Sequence, residues 1–133
     1  MSARSKARKR ALDVLFAADL RGESALEALE SAIAEGDGPT NEYTSALVRG
    51  VVAEQARIDE LLTEHAQGWT LDRMPGVDRN VLRLGVYELL CVDDVPDAVA
   101  VSEAVALVLD LSTDESPSFV NGVLGAILRA NAG

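Results

Sequence analysis

The sequence predicts an all-α fold, a compact bundle of about six or seven helices around one buried central helix at residues 77–91. Apolar residues recur at helical spacing along most of the chain. No alternating apolar run bounded by hairpin turns is present, so strands are not expected. The second half of the 77–91 segment is apolar on almost every side of a helical wheel. Such a helix has to be covered by other helices, and this places it at the centre.

The first half of the central segment is different, because it carries Asp78, Arg79 and Arg83. We expect these residues to form an open, charged and exposed end of an otherwise buried helix. Cys91 lies in the apolar half, so we expect it to be a core thiol in a reducing cytoplasm.

The composition favours one domain, residues 1–133, without disulfides or metal. A chain of 133 residues with 48% hydrophobic residues can bury a sufficient core. Its one cysteine excludes an internal disulfide, and one cysteine with one histidine is too few for a structural zinc site. No apolar run approaches the roughly 20 residues that span a membrane. We expect a cytoplasmic protein with no cofactor.

The charge is distributed unevenly along the chain. The net charge is -10, yet residues 1–10 contain five basic groups and no acid, and the rest has seven basic against twenty-two acidic residues. On a helical wheel the five cations point in widely different directions, so we expect residues 1–9 to project from the domain as a basic arm. Such an arm neutralises phosphates of RNA or DNA. Its cations are Arg4, Lys6, Arg8, Lys9 and Arg10.

Two other interpretations of the arm remain open. It could be a frayed, solubilising terminus, or a targeting peptide, since such peptides are Arg-rich and poor in acids. Asp13 and Asp19 on the same helix argue against targeting. Phe16, just beyond the arm, could stack a splayed base or belong to the core.

The sequence of the first half of the chain indicates three helices followed by a connector. Asn41 or Thr40 is expected to cap the third helix. Gly50 within it requires either close packing or a bend, because glycine costs about 1 kcal/mol against alanine in a helix. In the connector, Trp69 and Leu71 are expected to cover the core. The helices are predicted at residues 3–21, 23–35 and 41–65, and the connector at 68–76.

After the central helix, Pro96 predicts a turn. Val99 and Val101 are expected to be extended, and Ser102 to cap a helix that runs through about Leu111.

The last helix is predicted to open at Ser116 and Pro117, a capping serine followed by a proline at the first helical position. Gly122 and Gly125 on one side of this helix permit close approach, either by another helix or by a bound chain.

The sequence contains no nucleophile motif, no Gly-rich phosphate loop and no cluster of metal ligands. An enzyme needs convergent polar groups in a pocket, and none can be named from the sequence. A binding module is therefore predicted rather than an enzyme.

Four blocks of sequence stand out by their order and spacing: VDRNVLRLGVYEL (77–89), VP (95–96), AVAVSEAVALV (98–108) and SFVNGVLGAIL (118–128). Together they resemble the NusB family of bacterial transcription antitermination factors. The basic arm lies where that family has an arginine-rich start, and the resemblance covers the whole chain.

The resemblance implies a cytoplasmic all-α protein that binds single-stranded boxA RNA of nascent ribosomal transcripts together with NusE, a ribosomal protein. The complex would help RNA polymerase read through terminators. Carried over by position, RNA contacts would come from the arm and from the turn at Glu115 and Ser116. The NusE surface would involve Asp72, Arg73 and Asp78. The sequence departs from the family's common residues at Glu115, usually Asp, and at Ser118, usually Lys, which removes a cation near the turn.

Two rival functions remain. The chain could be an RNA-binding domain like those of ribosomal RNA cytosine methyltransferases, although we expect no catalytic domain here. It could also be a helical protein-interaction module with an incidental basic tail. Single-stranded RNA suits the chain better than duplex DNA, since no helix-turn-helix is recognisable. Either a monomer or a homodimer is compatible with the sequence.

Overall fold

The computed structural model describes residues 2–36, 38–39 and 41–132, and within these ranges the chain is helical without any strand. This confirms the all-α prediction. The helices are α1 Ala3–Arg21, α2 Ala25–Ala34, α3 Glu42–His65, α4 Gly76–Cys91, α5 Asp97–Leu111 and α6 Ser116–Ala132, with a 3-10 turn at Leu71–Arg73.

None of the helices in the described ranges is both long enough and apolar enough to cross a membrane.

The predicted central helix is confirmed as α4, which contacts α1, α3, α5 and α6. Val81, Leu82 and Val86 on it are fully buried. Each such side chain removes its apolar surface from water, which stabilises the fold by about 1.5–3 kcal/mol. The core therefore lies around α4, and the loops at the two ends of α4 lie at the surface.

Side chains and one glycine set the ends of the first three helices. The Ser24 hydroxyl accepts a hydrogen bond from the Glu27 N–H at 3.2 Å, so α2 begins later than the predicted residue 23. Asn41 is the cap of α3, its side chain accepting from the Tyr43 N–H at 2.9 Å. Gly22 ends α1 with a φ of 68°, a left-handed conformation that favours glycine.

Gly50 is explained by close packing rather than by a bend. A Cβ added there would overlap the ring of Tyr87 on α4, so only glycine leaves room for the ring. Gly122 on α6 is the opposite case, because a Cβ added there would have no neighbouring heavy atom of the described chain within 4 Å. Packing against another helix of this domain does not explain Gly122.

The prediction for the start of α5 was wrong. The helix begins at Asp97, directly after Pro96, so Val99 and Val101 are helical rather than extended. Proline directly before a helix has no N–H to leave unpaired, so the turn and the helix are continuous. The Ser102 hydroxyl donates to the Val99 carbonyl at 3.2 Å inside the helix and does not cap it.

Cys91, predicted to be a core thiol, and Trp69, predicted to cover the core, are both exposed. Cys91 is the last residue of α4 and lies at the surface, where the helix leaves its covering neighbours. Trp69 is 47% exposed, because it lies over the surface next to Phe119 rather than inserting into the core. Leu71 does pack against the core, as predicted.

Candidate nucleic-acid and partner interface

The N-terminal cations lie on a helix that is packed against the domain, so the prediction of a projecting arm was wrong. Helix α1 begins at Ala3 and contacts α3 and α4. The Thr44 hydroxyl donates to the Ala7 carbonyl at 3.0 Å, and the Asn41 amide donates to the Ala3 carbonyl at 3.2 Å. Small buried residues, Ala7 and Ala11, bring the start of α1 close to its neighbours.

Arg8 is buried, with 4% of its surface exposed. Its Nε lies 2.9 Å from both carboxylate oxygens of Glu88, and its Nη1 lies 3.2 Å from Oε1 of Glu103. Burial tends to lower the pKa of Arg8, but the hydrogen bond and charge of Glu88 outweigh it and raise the pKa. A guanidinium can be buried when carboxylates pair with it, so Arg8 joins α1 to α4 and α5.

Tyr43 completes this cluster. Its hydroxyl donates to the Glu88 carboxylate. Burial, together with that hydrogen bond, raises the pKa of Tyr43, and the phenol therefore stays protonated as a donor.

Arg4 lies at the edge of the same cluster and is partly exposed. Its Nη2 lies 3.0 Å from Oδ2 of Asp94, and its guanidinium lies over the Tyr43 ring, 4.3 Å from the centroid. The hydrogen bond from Arg4 lowers the pKa of Asp94. Arg4 therefore holds the start of α1 and still presents part of its surface to solvent.

Lys6, Lys9 and Arg10 are the exposed cations of the N-terminal segment. Their spacing of three and four residues places them on neighbouring positions of one side of α1. Lys6 and Arg10 line a cleft of about 390 Å³ between α1 and the segment before α3. We call these three residues the cationic face.

Phe16, further along α1, is half-buried and packs against the core. A Cβ added at Gly76 would lie 2.7 Å from Cε1 of Phe16, so the ring sits directly on the start of α4.

Two aromatic residues, Trp69 and Phe119, form the wall of a second cleft of about 370 Å³, and their ring centroids are 6.1 Å apart. We call this cleft the aromatic groove. Glu115 is exposed at its rim, whereas Ser116, also predicted as an RNA contact, is only 1% exposed. The Ser116 hydroxyl points inward, since it donates to Asp78 at 2.8 Å. The lining is completed by Pro75, Asp78, Thr113 and Asp114.

The charged end of α4 is not exposed, which corrects a second prediction. Asp78 is 2% exposed and Arg83 is 8% exposed. Asp78 accepts from Ser112 at 2.6 Å, and the Nε of Arg83 donates to Asp59 at 2.9 Å. The turn before α6 covers Asp78, and α3 covers Arg83, so each charge is satisfied inside the domain.

Asp72 and Arg73, the other predicted partner contacts, are exposed on the 3-10 turn. Arg79 holds this turn from beneath, because its Nη1 donates to the carbonyls of Leu71 at 2.8 Å and of Met74 at 3.2 Å.

Arg79 is itself held by Asp19 of α1, at 2.8 Å from its Nε. Burial tends to raise the pKa of Asp19, but hydrogen bonds from Asn80 and Arg79 outweigh it and hold that pKa below its ordinary value. Asp19 and Arg79 therefore connect α1 to the loop that displays Asp72 and Arg73.

The sequence interpretation missed the roles of Glu88, Tyr43, Asp19 and Arg79. One signal was present: Glu88 is a lone carboxylate among the apolar residues of the central helix. A carboxylate in that position needs a buried cation, and the arginines of the N-terminus could supply one. In the part of the chain that the structure describes, no group of His, Cys, Asp and Glu residues could hold a metal ion.

Comparison with known proteins gives one consistent result. The family model described as the NusB family matches residues 5–129. A transcription antitermination protein NusB of Nocardioides sp. (strain ATCC BAA-499 / JS614) is 78% identical over 129 residues, covering 97% of this chain and 96% of that protein. One from Saccharopolyspora erythraea is 66% identical over 129 residues, covering 96% of this chain and 87% of that protein.

Solved structures are similar over nearly the whole chain. NusB of T. maritima superposes with a TM-score of 0.85 at 33% identity, covering 96% of this chain and 92% of that one. A NusB chain crystallised with NusE and double-stranded RNA gives a TM-score of 0.82 at 35% identity, covering 96% of both chains.

Proposed function

Because the chain belongs to the NusB family, whose members are transcription antitermination factors and not enzymes, we propose that it binds boxA RNA of nascent ribosomal transcripts together with NusE. The bound complex would help RNA polymerase in the cytoplasm read through terminators. The observation that carries the proposal is the cationic face, three exposed basic side chains on a protein of net charge -10. The crystallised NusB–NusE–RNA assembly of a similar chain supports it.

The cationic face is the proposed phosphate contact. Exposed lysines and arginines that neutralise phosphates release counterions, which gives an affinity that falls steeply with salt. Lys6, Lys9 and Arg10 are placed for this role, and Arg4 adds to it from the edge. Arg8 contributes indirectly, because its buried ion pairs hold α1 in place.

The aromatic groove is the proposed second contact region. Trp69 and Phe119 in its wall offer aromatic surface for an unstacked base, and Glu115 lies at its rim. Ser116 supports the turn from inside and does not reach the RNA in this proposal.

The partner surface is proposed at the exposed 3-10 turn, with Asp72 and Arg73 in direct contact. A basic ribosomal protein suits the acidic body, because opposite charge speeds association and favours the correct orientation. Self-association into a homodimer is a further proposal, and it would compete with these contacts if it covered the same surfaces.

The test compares Lys6→Ala/Lys9→Ala with Arg57→Ala, an exposed cation on α3, by fluorescence anisotropy on a labelled boxA RNA. The double variant should bind about tenfold or more weakly, and its salt slope should fall by roughly 1 for each lysine that contacts a phosphate. Arg57→Ala should bind like the parent protein. Equal affinity of the double variant and the parent would refute the placement of RNA on the cationic face. An equal loss in both variants would mean that the attraction is unspecific.

A further inference from the structure

We infer that Asp78 is a positioning residue that fixes the turn at residues 112–116, and with it one wall of the aromatic groove, without itself touching RNA or partner. This inference rests on the proposed function, since it assigns a role within the same binding region. It replaces the direct partner contact expected for Asp78 from the sequence.

Asp78 is among the residues that line the groove, but its low exposure and its existing hydrogen bonds leave almost nothing for a direct contact. Asp78 is 2% exposed, so a partner's side chain has almost no surface to reach. Both carboxylate oxygens are already used: Oδ1 accepts from the Ser112 hydroxyl at 2.6 Å, and Oδ2 accepts from the Ser116 hydroxyl at 2.8 Å.

Ser116 connects the carboxylate of Asp78 to Thr113 and Ser112, whose hydroxyl oxygen lies 3.1 Å from that of Ser116. The Ser116 oxygen accepts from the Thr113 N–H at 3.2 Å and lies 2.8 Å from the Thr113 hydroxyl. With its own proton given to Asp78, Ser116 can accept both of these bonds. Asp78 therefore supplies the acceptor oxygens for two hydroxyls of the turn, those of Ser112 and Ser116.

The carboxylate is stabilised by its position as well as by the hydroxyls. Asp78 lies in the first turn of α4, where the helix dipole favours negative charge. Among the described residues its hydrogen-bond partners are hydroxyls, and no guanidinium bonds to it. The Asp78 carboxylate therefore binds the hydroxyl groups of the turn and does not take part in an ion pair among the described residues.

The turn that Asp78 fixes carries the residues of the proposed contact region. Glu115 is exposed within it, and Phe119 follows in the first turns of α6 as a wall of the groove. The Phe119 N–H donates to the Glu115 carbonyl at 3.1 Å, so displacement of the turn displaces the ring. Loss of the Asp78 hydrogen bonds should then alter the distance between Phe119 and Trp69.

The test is a double-mutant cycle of Asp78→Asn and Ser116→Ala, with affinity for the NusE–boxA RNA pair as one readout. Each single variant should bind about tenfold more weakly, the effect of losing one hydrogen bond to a charged group. The double variant should bind no more weakly than the weaker single variant, because both changes break the same set of hydrogen bonds. If the fold-losses in affinity of the two single variants multiply in the double variant, the inference is overturned, because Asp78 would then make an independent contact.

Amide hydrogen exchange provides the second readout, and it does not depend on binding. The Thr113 N–H should exchange faster in both variants, while amides in the middle of α1 keep their parent rates. Unchanged exchange at Thr113 would overturn the inference even if affinity fell. If Asp78→Asn does not fold, Ser112→Ala removes a bond to the same carboxylate from a half-buried site and takes its place in the cycle.

The two hypotheses fail in different ways. Parent protein that binds neither boxA RNA nor NusE would refute the proposed function. Thr113 exchange would still decide whether Asp78 fixes the turn.

Discussion

Arg8 and Lys9 are neighbours in the sequence and have opposite environments in the structure. Arg8 is enclosed by Glu88 and Glu103, whereas Lys9 is exposed to solvent. The basic cluster of this sequence therefore contains two kinds of cation, those that are buried in ion pairs and those that are exposed at the surface. Composition located the cluster, but it could not separate the two kinds, because the partner carboxylates lie 80 and 95 residues away.

Arg8→Ala should lower the free energy of unfolding by about 3–5 kcal/mol, since it leaves Glu88 buried without its cation. Lys9→Ala is the matched control and should change stability by no more than about 0.5 kcal/mol. Urea denaturation of both variants at neutral pH measures the difference. Similar unfolding midpoints for the two would contradict the assignment of Arg8 as a buried anchor.

Asp19 gives a prediction for pH dependence. Its pKa is lower in the folded state than in the unfolded state, so it contributes stability above the unfolded pKa, near about 4. That contribution is lost as the pH falls through the folded pKa. The Asp19→Asn variant should therefore have a lower free energy of unfolding than the parent at pH 7. This difference between the two proteins should become smaller below about pH 4. A gap of constant size down to about pH 3, in denaturant titrations, would refute the role of the Asp19 charge.

At the scale of the helices, two glycines distinguish close packing from open surface. Gly50→Ala should destabilise the protein, because the new methyl group would overlap the Tyr87 ring between α3 and α4. Gly122→Ala should stabilise it by roughly 0.5–1 kcal/mol, the helix-propensity gain at an open position. Thermal unfolding of the two variants measures whether stability falls in the first and rises in the second. A stabilising Gly50→Ala would show that α3 and α4 are not in close contact there.

The helices themselves were largely predictable, because they depend on local signals. Apolar spacing located α1, apolar spacing together with a cap located α3, and the apolar second half identified α4 as central. The start of α5 was missed because Pro96 is compatible with both a turn and the position before a helix. The buried state of Asp78 was missed for another reason: its hydroxyl partners lie 34 and 38 residues away.

For the molecule as a whole, the uneven distribution of charge is the feature bearing on function that the sequence predicts best. The contrast between a basic start and an acidic remainder is visible in the sequence, and three of its five cations form the exposed cationic face. The expectation of a projecting arm was wrong because Ala7 and Ala11 allow close packing of α1. Pre-ordering of α1 means that RNA binding need not include the ordering cost of a disordered arm.

The most direct measurement is fluorescence anisotropy of the parent protein on labelled boxA RNA and on a scrambled RNA of the same length. The titrations are repeated with and without NusE over a salt series. We predict tighter binding to boxA than to the scrambled RNA, a further gain with NusE, and an affinity that falls steeply as salt rises. Equal binding to both RNAs would retain the cationic face and contradict boxA recognition. Absence of RNA binding with NusE present would contradict the central claim.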